Sequence, residues 1–418
     1  MDQTTPAFTP ILLGSDFNAY GMARTLYEIY GKPVKTFAEV NLAPTRYSKI
    51  VDMEFIDGFA EDPVWFETML KLKERYKDAE GPVILIACGG DGYAELISRH
   101  KAELEDVFVC PYIDYDLIKK LNDKVSFYEM CEKFDMPYPG TRVITKEMYD
   151  NHEEIDQPFE YPVALKAANS VEWLDVHFEG RKKAFTIQNE AELKDIIAKS
   201  YDNGYKSEMI LQDFIPGDDS NMRTLNAYVG KDHKVKLMCL GHPILEDPAP
   251  AAIGNYVAIM PEYNDTIYDQ IQHFLESINY TGFANFDMKY DHRDKQYKLF
   301  DMNIRQGRSS FFVSLNGYKL ADWVIQDYAY DSLSDKEALR ANKDTNNYFL
   351  WLGVNPSTFE KYAKESEVTD HAISLIKEGR WGGSTFWYGK DKNPKRYALY
   401  KWAMHNYAVS FKKYFVAK

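Results

Sequence analysis

Long hydrophobic runs are missing from this sequence of 418 residues. No stretch approaches the roughly 18 uninterrupted apolar residues of a transmembrane helix, and the start, Met1-Asp2-Gln3, lacks the basic and then apolar pattern of a signal peptide. The few cysteines have no C-x-x-C spacing, which argues against a zinc site or a disulfide framework. They are Cys88, Cys110, Cys131 and Cys239. We therefore expect a cytoplasmic protein with reduced thiols.

Basic residues are too few for a general nucleic-acid-binding protein. Lys and Arg total 50 against 64 Asp and Glu, a formal charge of −14, whereas such proteins carry a basic footprint. Apolar residues make up 45% and charged residues 27% of the chain, which is typical of globular domains. At about 100–200 residues per domain, the length predicts several domains with a sizeable core.

The first part of the chain alternates between strand and helix patterns. Apolar runs at 8–13 and 83–88 end in Gly14-Ser15-Asp16 and in Gly89-Gly90-Asp91-Gly92, and a helical pattern follows each turn. Repetition of strand, turn and helix predicts a parallel α/β domain over residues 1–120. Because the second turn lacks the G-x-G-x-x-G spacing, a nicotinamide cofactor is not indicated.

The middle of the chain mixes both patterns in two further segments. Residues 121–205 contain a helical pattern at 123–134 and a short strand that ends at Lys166. Residues 206–330 consist mostly of strand patterns, interrupted by one predicted helix at 267–278. We expect each segment to form a separate α+β lobe.

The strongest chemical pattern is a pair of late strands, 283–290 and 300–305. Polar and apolar residues alternate in both, so each strand has one polar face. A hairpin would bring Asp287 near Asp301 and Asn303, and two carboxylates with an amide oxygen are hard ligands that suit Mg²⁺. Alternation alone also fits a surface hairpin with one solvated face. Asparagine is a poor strand former, however, which favours a functional reason for its presence.

Cationic and donor-rich residues elsewhere are candidates for binding an anion. The run Arg305-Gln306-Gly307-Arg308-Ser309-Ser310 follows the second strand directly and suits an anionic group. Lys124 lies at the start of a helix and Lys166 at the end of a strand, where a side chain directed to solvent is the ordinary interpretation. The strand pattern 209–215 runs into Pro216-Gly217, which by itself indicates only a strand and a turn.

Taken in order, these pieces resemble the ATP-grasp ligase superfamily over residues 8–320. The resemblance implies an α/β and α+β fold, in which an N-terminal parallel α/β domain precedes the ATP-grasp lobes at 121–205 and 206–330. It also implies ATP and Mg²⁺ as cofactors. The nucleotide-binding residues would be Lys124, Lys166, Gln212, Asp213, Ile215 and Asp219. The metal ligands would be Asp287, Asp301 and Asn303.

Three residues after the metal ligands are assigned to catalysis and substrate binding. Arg305 matches the arginine that often follows the metal-binding asparagine in this superfamily. Arg308 and Ser309 are candidates for holding the α-carboxylate of a substrate, by bidentate pairing and by hydroxyl donation. The sequence departs from the superfamily at two positions, with Gln212 and Asp301 where glutamate is usual. Residues 168–172 also lack the glycine expected of a phosphate-covering loop.

Longer strings are similar to superfamily members that act on peptidoglycan precursors. The strings are 10–16, 42–50, 92–97, 212–222, 239–243, 282–290 and 305–313. The similarity implies that the β-carboxylate of D-aspartate is activated as an acyl phosphate and joined to the lysine side-chain amine of the UDP-N-acetylmuramoyl pentapeptide. Another superfamily ligase with a different amino acid, and a non-catalytic nucleotide sensor, are the alternatives.

The C-terminal extension, residues 331–418, ends in a basic and aromatic stretch. From Gly379 to Lys418 there are nine basic residues and one acid, Asp391, with aromatic residues interleaved. A packed helix with solvent-facing lysines would explain this composition. A positively charged surface that contacts anionic membrane lipid would also explain it, and predicts a peripheral contact at the inner face of the membrane.

Overall fold

The structure, a computed structural model, describes residues 7–169, 172–182, 184–252, 254–382 and 385–416, apart from the side chains of Leu174, Asp219 and Ala251. Its strands are β1 (Thr9–Leu13), β2 (Val34–Ala38), β3 (Val51–Phe55), β4 (Val83–Ala87), β5 (Phe108–Val109), β6 (Thr141–Ile144), β7 (Val163–Ala167), β8 (Ala184–Ile187), β9 (Met209–Asp213), β10 (Met222–Val229), β11 (Val235–Glu246), β12 (Tyr256–Glu262), β13 (Gly282–Asp291), β14 (Gln296–Asn303), β15 (Leu339–Arg340), β16 (Leu350–Leu352) and β17 (Trp381–Gly382). Its α-helices are α1 (Phe17–Tyr30), α2 (Val64–Tyr76), α3 (Gly92–Arg99), α4 (Lys101–Leu104), α5 (Tyr115–Asn122), α6 (Lys124–Lys133), α7 (Lys146–Asp150), α8 (Glu190–Asp202), α9 (Asp265–Ser277), α10 (Phe311–Leu315), α11 (Asp322–Tyr328), α12 (Pro356–Tyr362), α13 (Glu367–Lys377) and α14 (Pro394–Tyr414).

The chain forms two compact units. The first unit comprises Met1–Tyr115, Asp218–Asp287 and Asp301–Lys418, and the second comprises Asp116–Gly217 and Met288–Phe300. The finer division into 1–120, 121–205, 206–330 and 331–418 stays a prediction.

A parallel sheet in the first unit confirms the α/β pattern at the start of the chain. Its order is β3-β2-β1-β4-β5, and β4 is buried along its whole length, which explains its continuous apolar run. Gly14 follows β1 at φ +122°, where a Cβ would lie 2.7 Å from the carbonyl oxygen of Cys88, so only glycine fits. Asp16 then caps α1 by accepting the backbone N–H of Ala19 at 2.9 Å.

The second sheet has the order β14-β13-β10-β11-β12-β16-β17, and β15 pairs with β11. β10, β11 and β12 are antiparallel neighbours, and nearly all their residues are buried. Because both faces of these strands are covered, their sequences lack the regular alternation of polar and apolar residues that marks a strand with one solvated face. The hairpin of β13 and β14 was expected from the sequence, and the central strand β12 was not.

The core of the first unit joins the parallel sheet to helices that come much later in the chain. Leu12 and Ile86 from the sheet share one buried cluster with Phe312 and Ile325 from α10 and α11. Ser314 on α10 also accepts a hydrogen bond at 2.9 Å from Thr25 on α1. The hydrophobic core packed against the N-terminal sheet therefore includes residues from the last third of the chain.

The second unit is built on an antiparallel sheet in the order β6-β9-β7-β8. Its core packs Leu165 and Leu211 from the sheet against Ile197 from α8 and against Trp173. α8 begins where Asn189 accepts the backbone N–H of Glu192 at 3.0 Å. This unit confirms the strand that was expected to end near Lys166, which lies within β7.

The C-terminal stretch contains a packed helix, α14. Phe411 is fully buried in a cluster with Phe359 and Leu375. Arg396 is also fully buried, and its Nε lies 3.2 Å from the carboxylate of Asp391. Among the described residues, no helix is both long enough and apolar enough to span a bilayer.

Candidate active site

The predicted metal ligands lie on one side of the β13–β14 hairpin. The amide nitrogen of Asn303 donates to the side-chain oxygen of Asn285 at 3.0 Å, so these two side chains share a face. Asp287 is two residues from Asn285 on β13, and Asp301 is two residues from Asn303 on β14. Side chains two residues apart on a strand point to the same side, so both carboxylates lie on this face as well. Tyr256 on β12 donates its hydroxyl to Asp287 at 3.4 Å. The structure brings together the three residues that the sequence assigns to metal binding.

The orientation of the Asn303 amide is fixed by its neighbours. Its nitrogen is bound to Asn285, which itself donates to the Thr224 hydroxyl at 3.1 Å. Its oxygen therefore faces the other way and accepts from Arg305 at 3.3 Å. Among the described residues, no three His, Cys, Asp or Glu side chains gather as a metal site. Two carboxylates completed by this amide oxygen fit a hard divalent cation such as Mg²⁺.

The loop that follows β14 is fixed by Gln306, which is fully buried. Its side-chain nitrogen donates to Asn18 at 2.7 Å and to the carbonyl oxygen of Ala87 at 2.8 Å. Asn18 in turn donates to the carbonyl oxygen of Gly307 at 2.9 Å. A Cβ at Gly307 would lie 2.9 Å from the Asn285 amide. The donor-rich run is thereby held at the carboxyl ends of β1 and β4.

The two arginines of this loop have acidic and aromatic neighbours in the first unit. Arg305 Nε lies 3.4 Å from Asp91, in the Gly89-Gly90-Asp91-Gly92 turn. Asp91 precedes α3 without capping it, so its carboxylate serves this arginine instead. The Arg308 guanidinium lies 4.7 Å from the ring centre of Phe17 and donates to the Tyr407 hydroxyl at 3.4 Å.

Two carboxyl groups near Arg308 have raised pKa values. Burial raises the pKa of Asp16, against the opposing effect of the Ala19 backbone N–H, Arg308 and Arg305. Burial likewise raises the pKa of Asp247, and Arg308 again opposes the shift. Ser309 donates to the carbonyl oxygen of Tyr256 at 3.3 Å. Arg308 therefore has two buried carboxyl groups among its neighbours.

Tyr128 joins the residues that the sequence assigns to nucleotide binding in the second unit. Lys166 donates to the Tyr128 hydroxyl at 3.3 Å. Burial raises the pKa of Tyr128, and a hydrogen bond with Gln212 opposes this rise. Gln212 is buried and donates to the Thr141 hydroxyl at 3.0 Å. Lys124 begins α6, with its ammonium nitrogen 5.7 Å from the ring centre of Phe127.

Two basic residues that the sequence did not single out hold the segment 212–217, which we call the hinge segment. Arg293 makes a two-point ion pair with Asp213, with Nη–Oδ distances of 3.0 and 2.6 Å. Lys289 donates to the carbonyl oxygens of Ile215 at 2.9 Å and Gly217 at 2.7 Å. Arg293 also pairs with Asp291, which is fully buried. The alternation of β13 marked Lys289 as polar, but no local pattern indicated these partners.

Parts of the predicted site lie outside the described residues. The Asp219 side chain is among them, although its backbone forms a short 3₁₀ turn at Asp219–Asn221. Ser170 and Val171, within the expected phosphate-covering loop, are also outside them.

Several solved structures share the fold of this chain. N5-carboxyaminoimidazole synthetase from Staphylococcus aureus, complexed with ADP, has a TM-score of 0.58 at 14% identity, over 81% of each chain. An ADP complex of N5-carboxyaminoimidazole ribonucleotide synthetase has a TM-score of 0.61 at 12% identity, over 90% of this chain and 98% of the other. L-amino acid ligase from Bacillus licheniformis has a TM-score of 0.52 at 10% identity, over 80% of this chain and 76% of the other. The fold is the ATP-grasp fold, here preceded by a parallel α/β domain, as the sequence predicted.

Sequence similarity narrows the class to one family, although no protein-family model matches the chain. The D-aspartate ligase of Enterococcus faecium (strain Aus0004) is 58% identical over 413 residues, which cover 98% of this chain and 97% of that protein. The chain therefore belongs to the D-aspartate ligase family and is an ATP-dependent ligase.

Proposed function

We propose that this enzyme joins the β-carboxylate of D-aspartate to the lysine side-chain amine of the UDP-N-acetylmuramoyl pentapeptide. The proposal rests on the 58% identity with a D-aspartate ligase, which extends over nearly the whole of both chains. The arginine-containing loop supports it, because hydrogen bonds of Arg305 and Gln306 hold residues 305–310 beside the proposed metal ligands on β13 and β14.

The chemistry requires activation, because a carboxylate has a poor leaving group. Transfer of the ATP γ-phosphoryl group to the β-carboxylate forms an acyl phosphate and releases ADP. The lysine amine then attacks the acyl carbon, phosphate leaves and the amide forms. Phosphoryl transfer depends mainly on positioning and charge neutralisation, which the clustered cationic and oxygen-donor side chains are suited to provide.

We assign the nucleotide to Lys124, Lys166 and the hinge segment. The two lysines would bind phosphate oxygens, and backbone groups of Asp213 and Ile215 would contact adenine, with Asp219 near the ribose. Asp287, Asp301 and Asn303 would hold Mg²⁺, which supplies charge neutralisation at the phosphates when bound. Two solved structures with this fold are ADP complexes, and a third, a biotin carboxylase domain from Hydrogenobacter thermophilus, is a complex with MgADP.

The amino-acid substrate is assigned to the loop after β14. Arg308 would pair with the α-carboxylate of D-aspartate, and Ser309 would donate a hydrogen bond to it. Arg305, which contacts both Asn303 and Asp91, would stabilise the transferring phosphoryl group. We place the reaction in the cytoplasm, at the inner face of the membrane.

A phosphate-release assay across D- and L-amino acids tests the proposal, with the muramoyl pentapeptide as acceptor. We expect ATP-dependent phosphate release that requires D-aspartate and the acceptor together. Mass spectrometry of the product should show one added aspartyl residue on the lysine. Dependence on an L-amino acid, or on a different D-amino acid, would contradict the substrate assignment. Absence of release with every pair would contradict ligase activity in this chain.

A further inference from the structure

Large apolar side chains are exposed mainly in two segments of the first unit. One segment is the loop 40–49, between β2 and β3, and the other is α14 with the residue that follows it. The exposed residues are Val40, Leu42, Tyr47, Tyr397, Trp402, Val409, Tyr414 and Val416. Trp402 is 59% exposed and Tyr47 is 52% exposed, although burial of an aromatic side chain is normally favourable. We call the exposed parts of residues 40–49 and 390–416 the basic aromatic surface.

The two segments are joined by direct contacts. Asn393 donates to the carbonyl oxygen of Tyr47 at 2.9 Å, and the Lys395 ammonium lies 5.0 Å from the centre of the Tyr47 ring. The buried Arg396 donates to the carbonyl oxygens of Pro44 and Arg46 at 3.0 and 2.9 Å. The loop and the start of α14 therefore form one fixed surface.

The outward face of α14 combines apolar and cationic side chains. Lys395, Trp402 and Val409 are seven residues apart, close to two helical turns, so they lie along one face. Lys413 lies on that face as well, because eleven residues are close to three turns. The opposite face carries the buried residues Met404 and Phe411. The helix is thus anchored by one face and leaves an aromatic and basic face outward.

Charge distinguishes this surface from the rest of the molecule. Residues 390–416 contain seven basic residues and one acid, Asp391, and residues 40–49 contain two basic residues and no acid, while the whole chain carries −14. Asp391 is 1% exposed and paired with Arg396, so neither segment presents a carboxylate to solvent. An anionic partner would therefore meet lysines without local repulsion from these segments.

We propose that the basic aromatic surface docks on an anionic phospholipid bilayer. Exposed tryptophan and tyrosine suit the boundary between headgroups and acyl chains, and flanking lysines are attracted to anionic headgroups. The contact is peripheral and reversible, since the anchored face of α14 stays in the core. Docking orients the enzyme with this side toward the membrane. The inference can be tested independently of the ligase assignment, because none of the residues substituted in the test below belongs to the proposed active site.

Co-sedimentation of the full chain with vesicles tests the proposal. Phosphatidylcholine vesicles with and without phosphatidylglycerol are compared at low and high salt. We expect binding only to the anionic vesicles and weaker binding at high salt. Replacement of Lys395, Lys401, Lys412 and Lys413 by Gln should reduce partitioning by about fivefold per lysine. Trp402→Ser should also reduce binding, by loss of insertion rather than of charge.

A matched variant separates local from global charge effects. Lys71, Lys77, Lys120 and Lys133 are exposed on other helices or directly after one, and their replacement by Gln changes the net charge equally. This control should bind anionic vesicles like the unmodified chain, and both variants should keep its melting temperature. Equal binding to neutral vesicles, or equal losses in the two lysine variants, would overturn the proposal. So would unchanged vesicle binding by the α14 variant accompanied by loss of self-association in size-exclusion chromatography, which would identify a second copy as the partner.

Discussion

Single carboxylates on the β13–β14 hairpin are expected to matter for chemistry more than for folding. Asp301→Ala removes one of the proposed metal ligands at a partly exposed position. We expect kcat for phosphate release to fall by about a hundredfold or more, since a bound metal contributes several kcal/mol of charge stabilisation. The melting temperature should change little. Initial rates of phosphate release, measured over a titration of Mg²⁺, test this expectation.

The exposed Asp57 serves as the control for this substitution. Asp57→Ala should leave both kcat and the Mg²⁺ dependence unchanged. Full activity in Asp301→Ala would remove Asp301 from the metal site.

Arg305 and Asp91 are expected to act as a coupled pair. Arg305→Lys keeps the charge but loses the planar geometry that reaches both Asn303 and Asp91. Asp91→Asn removes the charge that orients the guanidinium. We expect each change to lower kcat, and the double variant to be less impaired than the product of the two effects, as contacting residues are non-additive.

A double-mutant cycle of kcat and of the D-aspartate KM measures this coupling. Strict additivity would show that Asp91 does not act through Arg305. A mild loss in Arg305→Lys would indicate that charge alone is sufficient.

At the scale of elements, the β13–β14 turn holds the hinge segment through Arg293. Arg293→Ala breaks the two-point ion pair with Asp213. We expect the KM for ATP to rise roughly tenfold, the equivalent of about 1.4 kcal/mol, with the KM for D-aspartate nearly unchanged. Arg293→Lys should restore part of the affinity.

Arg142→Ala is the control for this change, because Arg142 is an exposed arginine of the same unit. Equal increases in both KM values for Arg293→Ala would indicate general loosening of the unit instead of a positioning role.

The same turn should make stability depend on acid pH through Asp291. Arg293 and Lys298 hold the pKa of this buried carboxyl well below its usual range, against the effect of burial. Its stabilising contribution is therefore complete above the unfolded pKa of about 4 and is lost as pH falls below that value. The difference in melting temperature between the unmodified chain and Asp291→Asn should be largest near neutrality and shrink below about pH 4. A constant difference from pH 7 to pH 3 would contradict the linkage.

Local sequence patterns predicted the strands and residues whose signal lies within a few neighbouring positions. Alternation identified β13 and β14, and Asn303, a poor strand former, is hydrogen-bonded to Asn285 and Arg305. Arg293 and Asp91 could not be assigned in this way, because their partners, Asp213 and Arg305, lie 80 and more than 200 positions away in sequence. β12 was not predicted either, although its Tyr256 contacts both Asp287 and Ser309.

At the scale of the whole molecule, the buried Arg396–Asp391 pair anchors the C-terminal helix to the loop 40–49. Arg396→Ala leaves the buried Asp391 carboxylate without its cationic partner, although two hydroxyls and a backbone N–H still donate to it. Because removal of one partner of a buried ion pair typically costs 3–5 kcal/mol, we expect the free energy of unfolding to fall by about 3 kcal/mol. Urea unfolding followed by fluorescence measures it, and Lys401→Ala on the exposed face is the control.

A loss below about 1 kcal/mol, the value typical of surface pairs, would contradict the anchoring role. Truncation near Gly379 is a poor alternative test, because it also removes the buried residues Met404 and Phe411.

Because α10 and α11 contribute to the core packed against the N-terminal sheet, this core cannot form early during synthesis on the ribosome. Residues 1–120 emerge first, with Leu12 and Ile86 ready to pack, but Phe312 and Ile325 are not yet made. At about 5–20 residues per second, the nascent chain must wait roughly 10 to 40 s for these helices. Throughout that interval an apolar face stays open, so the growing polypeptide is a natural client for chaperones that shield unfinished domains.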